Sequence, residues 1–478
     1  MALRRLGPVA PRRGRPTKAA NIAASLRGTV VELEVTGLSS RGHGVARHGG
    51  KIYFVDGALP GERCNAEPIV EKKSFTETRM VQLLGEPSPD RAASACKYYG
   101  TCGGCQLQHL SLEAQRNWKR THVADAWRRI VLAGQSRADT EAFERFVSPC
   151  VGGAGYGYRG KLAPRWRGGK LGFLEKPKSG TDGFFVGPGE GFGDDRGGLG
   201  VVDVERCAIA SDPVNAALAG MRKSGLRGHK KARGANLYKD GEHDVAAVLR
   251  EACGGAVSMD PGAVVRQRVG GCEFDHDAGG FFQVNAEVTA LLVDHVIKKC
   301  GSLKNVIDVF CGVGLFAITL AKGSNRKCFG TECSADAIAH ARKNAALNDV
   351  DASFVACDAA LTFKALKRTF EKAPLDADDT VVVADPPREG LDSAFLSALL
   401  AFGPRRIVYV SCDAAKQARD ASIILADERY TLIDIVPFDM FPQTRHIESC
   451  ATFQRVEDRN DESIRKSADG NEATPEGA

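Results

Sequence analysis

From residue 272 onward the chain alternates short apolar runs with helical segments, and several of those runs end in residues able to do chemistry. The runs fall near 305 to 310, 327 to 331, 353 to 356, 380 to 384, 406 to 411, 430 to 436 and 449 to 454. Runs this short, rich in Val and Ile, predict a doubly wound α/β domain with a largely parallel sheet. Sheets of that kind hold their ligands at the carboxyl ends of the strands. Those ends carry Asp308-Val-Phe-Cys-Gly312-Val-Gly314, Asp385-Pro-Pro-Arg388 and Ser411-Cys412-Asp413. Phe441-Pro-Gln-Thr-Arg-His446-Ile-Glu448 precedes the last run. A thiol, an imidazole, a carboxylate and a glycine-rich turn are therefore expected in one crevice.

A chain of 478 residues is too long for one compact domain. Residues 25 to 84 read as a small β-barrel of short, glycine-punctuated strands: Gly28 to Glu34, Gly44 to Ala46, Ile52 to Val55 and Glu62 to Pro68. Residues 90 to 271 form a central α+β region with a cysteine-rich turn, a helix from Leu110 to Leu132 and a long loop at 176 to 198. The catalytic α/β domain runs from 272 to 457. Residues 1 to 24 read as a basic flexible tail, and 458 to 478, polar and charged, as a disordered one. The first 31 residues hold seven Arg or Lys and no acid, and Arg222 to Arg233 holds six with none. Both runs suit a polyanion, and both also suit a solvated face.

No apolar run reaches the 18 or so residues of a membrane span, so a soluble protein without a membrane partner is expected. Fifteen cysteines without a secretory signal point to a reducing compartment. A cytoplasmic location and a monomer are expected, although the Arg-rich start would also suit an organelle transit peptide in a eukaryotic source.

The Gly312-x-Gly314 turn lacks both the full dinucleotide fingerprint and a Walker lysine. Glu332, 20 residues after Gly312, ends the next strand where a ribose needs an acceptor, and Asp358 ends the third where an adenine amino group would lie. This favours S-adenosylmethionine over NAD or ATP. Asp385-Pro-Pro-Arg388 resembles the motif of enzymes that methylate base amines, but an arginine stands where those carry a stacking ring. Methylation at carbon is the better reading, because uracil carbon 5 needs activation and a thiolate adding to carbon 6 supplies it. Cys412 is the candidate nucleophile, in an environment expected to assist its ionisation. Glu448 is the candidate base, with His446 as runner-up. Taken singly, Cys412 would be a buried structural thiol and Glu448 a surface acid.

Together with Phe281-Phe-Gln283-Val-Asn285 and Tyr409-Val-Ser-Cys412-Asp, these motifs resemble the series of the RNA uracil-5 methyltransferases, in order and spacing, over residues 276 to 454. The resemblance implies a Rossmann-like class I methyltransferase domain in which Cys412 is the nucleophile and Glu448 the base. It implies cofactor contacts from Gln283, Phe310, Glu332 and Asp385. Leu315 stands where several members carry a polar side chain, which puts that contact in question. Residues 25 to 84 resemble a TRAM domain, an RNA-binding barrel. Cys96, Cys102 and Cys105 are similar to the set that holds a [4Fe-4S] cluster in the ribosomal branch, with Cys207 matching the fourth ligand. A zinc site and a fourth ligand at Cys150 stay open. Tyr158, Arg159, Lys161, Arg165 and Trp166 suit an RNA surface. The expected partner is RNA: ribosomal RNA first, transfer RNA as alternative, with a non-catalytic RNA-folding protein as the rival.

Overall fold

The computed structural model of the chain describes residues 30–132, 143–176, 200–224 and 245–456. The basic runs, the loop expected at 176 to 198 and the charged tail lie almost wholly outside them. Described residues up to 92 form one compact unit, and those from 93 to 456 another.

The first unit is a closed barrel of β1 (Val31–Leu38), β2 (Gly44–His48), β3 (Lys51–Asp56), β4 (Arg63–Glu71) and β5 (Phe75–Leu84), in the order β1-β2-β3-β5-β4. Leu33, Val35, Ala46, Val55, Cys64 and Ala66 fill its interior at alternate positions. Gly44 is needed there, since a Cβ would stand 2.8 Å from both the Ala58 carbonyl oxygen and Val35 Cγ1. The sequence reading missed β5. That strand buries three consecutive residues, Thr76, Glu77 and Thr78, instead of alternate aliphatic ones, so it carries no apolar period of two.

In the second unit, short strands β6 (Lys161–Leu162), β7 (Arg165–Arg167), β8 (Lys170–Leu174), β9 (Val201–Asp203), β10 (Val245–Ala246), β11 (Leu249–Glu251) and β12 (Val257–Ser258) make two small sheets. A hairpin of β13 (Val264–Val269) and β14 (Cys272–Asp277) leads into the main sheet. That sheet holds β15 (Asn305–Val309), β16 (Lys327–Glu332), β17 (Ala352–Ala356), β18 (Thr380–Ala384), β19 (Arg406–Ser411), β20 (Tyr430–Phe438) and β21 (Glu448–Arg455). Their order is β17-β16-β15-β18-β19-β21-β20, and only β21 runs against its neighbours. Both faces are covered, which is why the strands read as continuous Val and Ile runs. Val306, Val381, Val383, Val408 and Val410 pack on one side, and Ile307, Val309, Val382, Ile407 and Tyr409 on the other.

Connections leave β15 on both sides, so the sheet has its switch point at β15 and β18, and ligands of such sheets bind at that end. The helix Leu112–Val131 belongs to the same core. Its Trp127 is fully buried and stacks on Phe143 and on Phe453 of β21, with ring centroids 6.2 and 6.3 Å away.

Candidate active site

The glycine turn after β15 is built on left-handed backbone at Phe310 (φ 62°), Gly312 (φ 53°) and Gly314 (φ 91°). Glycines take that conformation freely, but for Phe310 it is strained, and such residues collect at functional sites. The Phe310 ring stands edge-on to Phe395, with centroids 6.1 Å apart. Glu332, at the tip of β16, accepts the Gly312 N–H at 3.3 Å and the Ser334 N–H at 2.9 Å, so the turn and the acid are fixed to each other. Asp358 is exposed and caps the turn after β17 through the Ala360 N–H, 2.9 Å away. Leu315 opens the helix Leu315–Ala321 and packs on the core, making an apolar contact where a polar one was in question. Gln283 sits half-buried in the loop before the helix Ala286–Cys300, which Asn285 caps through the Val288 N–H. A carboxylate, Glu332, thus stands against the glycine turn, with the Phe310–Phe395 ring pair following the same strand end.

Asp385 continues β18 and donates its N–H to the Val309 carbonyl at 3.3 Å, which sets it beside Phe310. Cys412 continues β19. The antiparallel register pairs Ser411 with Ser449, so one step further along the ladder Glu448 comes alongside Cys412. Cys412, Glu448 and Asp385 all lie within electrostatic range of one another, with Arg388 as the neighbouring cation. His446 is in the same surroundings, edge-on to Phe441 at 6.1 Å. The sequence motifs thus converge as expected.

Burial governs their protonation. It pushes the Cys412 thiol up to about 12, reinforced by Glu448 and Asp385 and opposed by Arg388. The assistance expected from the sequence is present as one guanidinium, and burial beside two carboxylates outweighs it. Glu448 is 6% exposed; burial and then Asp385 hold its carboxyl well above the ordinary range, with Arg388 opposing. Asp385 is raised to about 7 by burial. His446 is pulled down to about 3 by burial and then by Arg388, Arg445, Lys119 and Arg159, which leaves it a weak base. Asp308 also enters the site. Burial raises it to about 8; its Oδ2 accepts the Ala317 N–H at 2.9 Å, and its Oδ1 has no hydrogen-bond partner.

The central region holds up this site. Lys119 and Asp439 are both fully buried and paired at 2.5 Å, and Lys119 Nζ also donates to the Phe441 carbonyl at 3.1 Å. No local pattern could have revealed this pair, because 320 residues separate its members. Lys119→Ala leaves the buried Asp439 with only its longer pair to Arg116, at 3.7 Å, and is expected to cost about 3 kcal/mol, the low end for a broken buried pair, read as a lower urea midpoint of the catalytic unit. An unchanged midpoint would show the pair to be dispensable. Of the residues expected on an RNA surface, Lys161 is 4% exposed and turns inward, donating to the Gly279 and Gly280 carbonyls at 3.0 and 2.8 Å. Tyr158 donates to the Pro442 carbonyl at 3.0 Å, and Trp166 packs on a small core. Arg159 lies over the Phe441 ring at 5.8 Å, and the two line a hollow with Lys161 and Gly280 to Val284. Phe281, 66% exposed, stands at its edge.

Cys96, Cys102, Cys105 and Cys207 are neighbours. Burial raises Cys102 to about 11 and Cys105 to about 12, and in each case the charges of Cys207 and Cys96 add to the effect. Cys150 instead faces Asp439, Lys119 and Arg116. Among the described residues, no group of three or more His, Cys, Asp or Glu side chains converges as metal ligands do. The four thiols are gathered but not drawn into a ligand sphere.

Comparison with known proteins places this site in context. The model of the tRNA (uracil-5-)-methyltransferase family matches residues 264–456, and that of the TRAM domain matches residues 24–67. A 23S rRNA (uracil(1939)-C(5))-methyltransferase of Alkalilimnicola ehrlichii is 32% identical over 466 residues, covering 89% of this chain and 96% of the relative. A tRNA (uracil(54)-C(5))-methyltransferase of Schizosaccharomyces pombe is 30% identical over 450 residues, covering 89% and 78%. The crystal structure of the Pyrococcus abyssi tRNA (uracil-54, C5)-methyltransferase with S-adenosyl-L-homocysteine shares the fold, with a TM-score of 0.63 at 23% identity over 88% of this chain and all of that one. The chain belongs to the RNA uracil-5 methyltransferases, enzymes that carry a methyl group from S-adenosylmethionine to a uracil of RNA, and it bears their TRAM domain ahead of its catalytic part.

Proposed function

We propose that this enzyme methylates carbon 5 of a uridine in ribosomal RNA through a covalent bond from Cys412 to carbon 6, with Glu448 as the base. The observation that supports the reading is the β19–β21 register, whose last pair is Ser411 with Ser449, so that Cys412 and the buried Glu448 adjoin that pair, within electrostatic range of each other. S-adenosylmethionine, when bound, supplies an electrophilic methyl group. Gln283, Phe310, Leu315, Glu332, Asp358 and Asp385 would hold it against the strand ends. The target base must leave its stack at a cost of a few kcal/mol, so an unpaired uridine suits best. The hollow lined by Arg159, Phe281 and Phe441 offers such a base two rings and a cation.

The Cys412 thiol gives up its proton to solvent water as its sulfur adds to carbon 6, and the carbon 5–carbon 6 π electrons move toward the carbonyl at carbon 4, forming an enolate. Carbon 5 then takes the methyl group, breaking the sulfonium–methyl bond. Glu448 removes the proton left on carbon 5, the double bond re-forms, and Cys412 departs as thiolate.

Ribosomal RNA is favoured by the gathered thiols and by the long match to a ribosomal relative. The match to a transfer RNA enzyme keeps that substrate as the second reading. Unmodified ribosomal and transfer RNA, each incubated with the protein and methyl-labelled S-adenosylmethionine, should yield labelled 5-methyluridine from ribosomal RNA alone. Label in transfer RNA would move the substrate, and label in neither would favour a non-catalytic RNA-folding role.

Cys96, Cys102, Cys105 and Cys207 would hold a structural [4Fe-4S] cluster, since their donor set is all sulfur and ligation would draw neighbouring thiols together. Protein purified without oxygen should contain about four iron and four sulfide per chain. Cys207→Ser should lose them and Cys150→Ser should keep them. Stoichiometric zinc in place of iron would overturn the cluster.

A further inference from the structure

The loop from Asp439 to Ile447 leads from β20 into Glu448, the first residue of β21, whose backbone pairs with Phe438, and Gln443 within it is left-handed. This residue is 3% exposed and has φ 70°, a left-handed conformation that a residue with a side chain adopts only when its surroundings impose it. The imposing group is a side chain from the central helix. Gln115, fully buried, accepts the Gln443 N–H on Oε1 at 2.9 Å and donates from Nε2 to Gln443 Oε1 at 3.0 Å. Its Nε2 also lies at hydrogen-bond distance from the Leu107 and Leu110 carbonyls, at 3.1 and 2.9 Å. The Gln443 carbonyl accepts the N–H groups of Gln106 and Leu107 at 3.1 and 3.0 Å. Every polar group of the Gln443 backbone is thus spent on residues 106 to 115.

These contacts have no evident use in anchoring the helix, which is already secured by Trp127 and by the Lys119–Asp439 pair. They lock one peptide, five residues before Glu448. We propose that Gln115 is a positioning residue for the catalytic base: it holds Gln443 left-handed, and so sets where Glu448 stands against Cys412. This rests on the reading of Glu448 as the base. A displaced base slows proton removal but leaves the earlier bond to carbon 6 untouched, because Cys412 is carried by β19 and not by this loop.

The test exploits the backbone. Gln115→Ala removes the bonds to the Gln443 N–H and side chain, leaving only its carbonyl held by Gln106 and Leu107, and kcat is expected to fall about tenfold to a hundredfold with KM for RNA unchanged, as a misplaced catalytic group produces. Adding Gln443→Gly should then raise kcat about fivefold, the factor that about 1 kcal/mol of relieved strain gives, because glycine takes the left-handed conformation unaided. With RNA carrying 5-fluorouridine, from which no proton can be removed at carbon 5, both variants should form the Cys412 adduct at the wild-type rate. A merely structural role would make the second substitution additive and harmful. No rescue by glycine, a loss seen in KM, or slowed adduct formation would each overturn the proposal. Glu448→Gln assayed alongside keeps the two ideas apart. Normal turnover by that variant would remove the base assignment, whereas the glycine rescue reports only on the loop.

Discussion

Replacing Cys412 with alanine is expected to abolish methyl transfer, by at least about ten-thousandfold, while RNA and cofactor binding persist. Carbon 5 of uracil is a weak nucleophile, and adding a thiolate to carbon 6 activates it. Of the other described polar groups nearby, Glu448, Asp385, Asp413, Arg388 and His446, none matches a thiolate as a nucleophile. The resting thiol, pushed up to about 12 by burial and the two carboxylates, is protonated at neutral pH. Its proton must leave as the sulfur bonds to the base, which makes adduct formation sensitive to how RNA binding changes those surroundings. Methyl transfer is read with labelled cofactor, and the adduct as a denaturant-stable complex with 5-fluorouridine RNA. Wild-type methylation by the alanine variant would sink the covalent route.

Much of the catalytic sheet was legible in the sequence because of its burial. With both faces covered, β15, β18 and β19 had to be written in Val and Ile, and the residues breaking each run had to be the ones at the ligand end. Where burial is polar the signal fails. The strand β5 hides Glu77 and two threonines inside a barrel wall, and Lys161, read as an RNA contact, lies beneath the loop it supports. The choice between Glu448 and His446 could not be made from spacing, since the two stand two residues apart. Their environments separate them: both are enclosed, but enclosure raises a carboxyl and lowers an imidazole, so the same pocket strengthens one base and weakens the other. Spacing could not separate Cys150 from Cys207 either; the fold sets Cys207 near Cys102 and Cys105, and Cys150 near Asp439. The supports of the site were illegible altogether. Gln115 and Lys119 meet their partners across more than three hundred residues, and only the fold reveals that an early helix governs a late loop.

Glu448→Gln should stop the reaction one step later than the loss of Cys412 does. The glutamine keeps the shape of the side chain but cannot take the proton from carbon 5, so the methylated base stays bonded to Cys412. A covalent protein–RNA complex should therefore accumulate with ordinary uridine, with the label already on the base, and release of 5-methyluridine should fall by about 10²–10⁴-fold, the usual worth of a positioned base. In the wild type, the base works only when deprotonated. Its carboxyl lies above the ordinary range, and its partner Asp385 titrates at about 7, so kcat should climb as pH rises through and beyond neutrality. In the variant that limb should vanish from the release step. Stability should move the opposite way. A carboxyl raised by burial favours the folded state while protonated and loses that contribution as pH climbs from its unfolded value near 4.3 through its folded one. Glutamine has no such loss, so the variant should unfold at a higher temperature than the wild type in alkaline buffer, with the difference shrinking in acid. The active carboxylate would then be a stability cost that catalysis maintains. Rapid release by Glu448→Gln, with trapping by His446→Ala instead, would reverse the two roles.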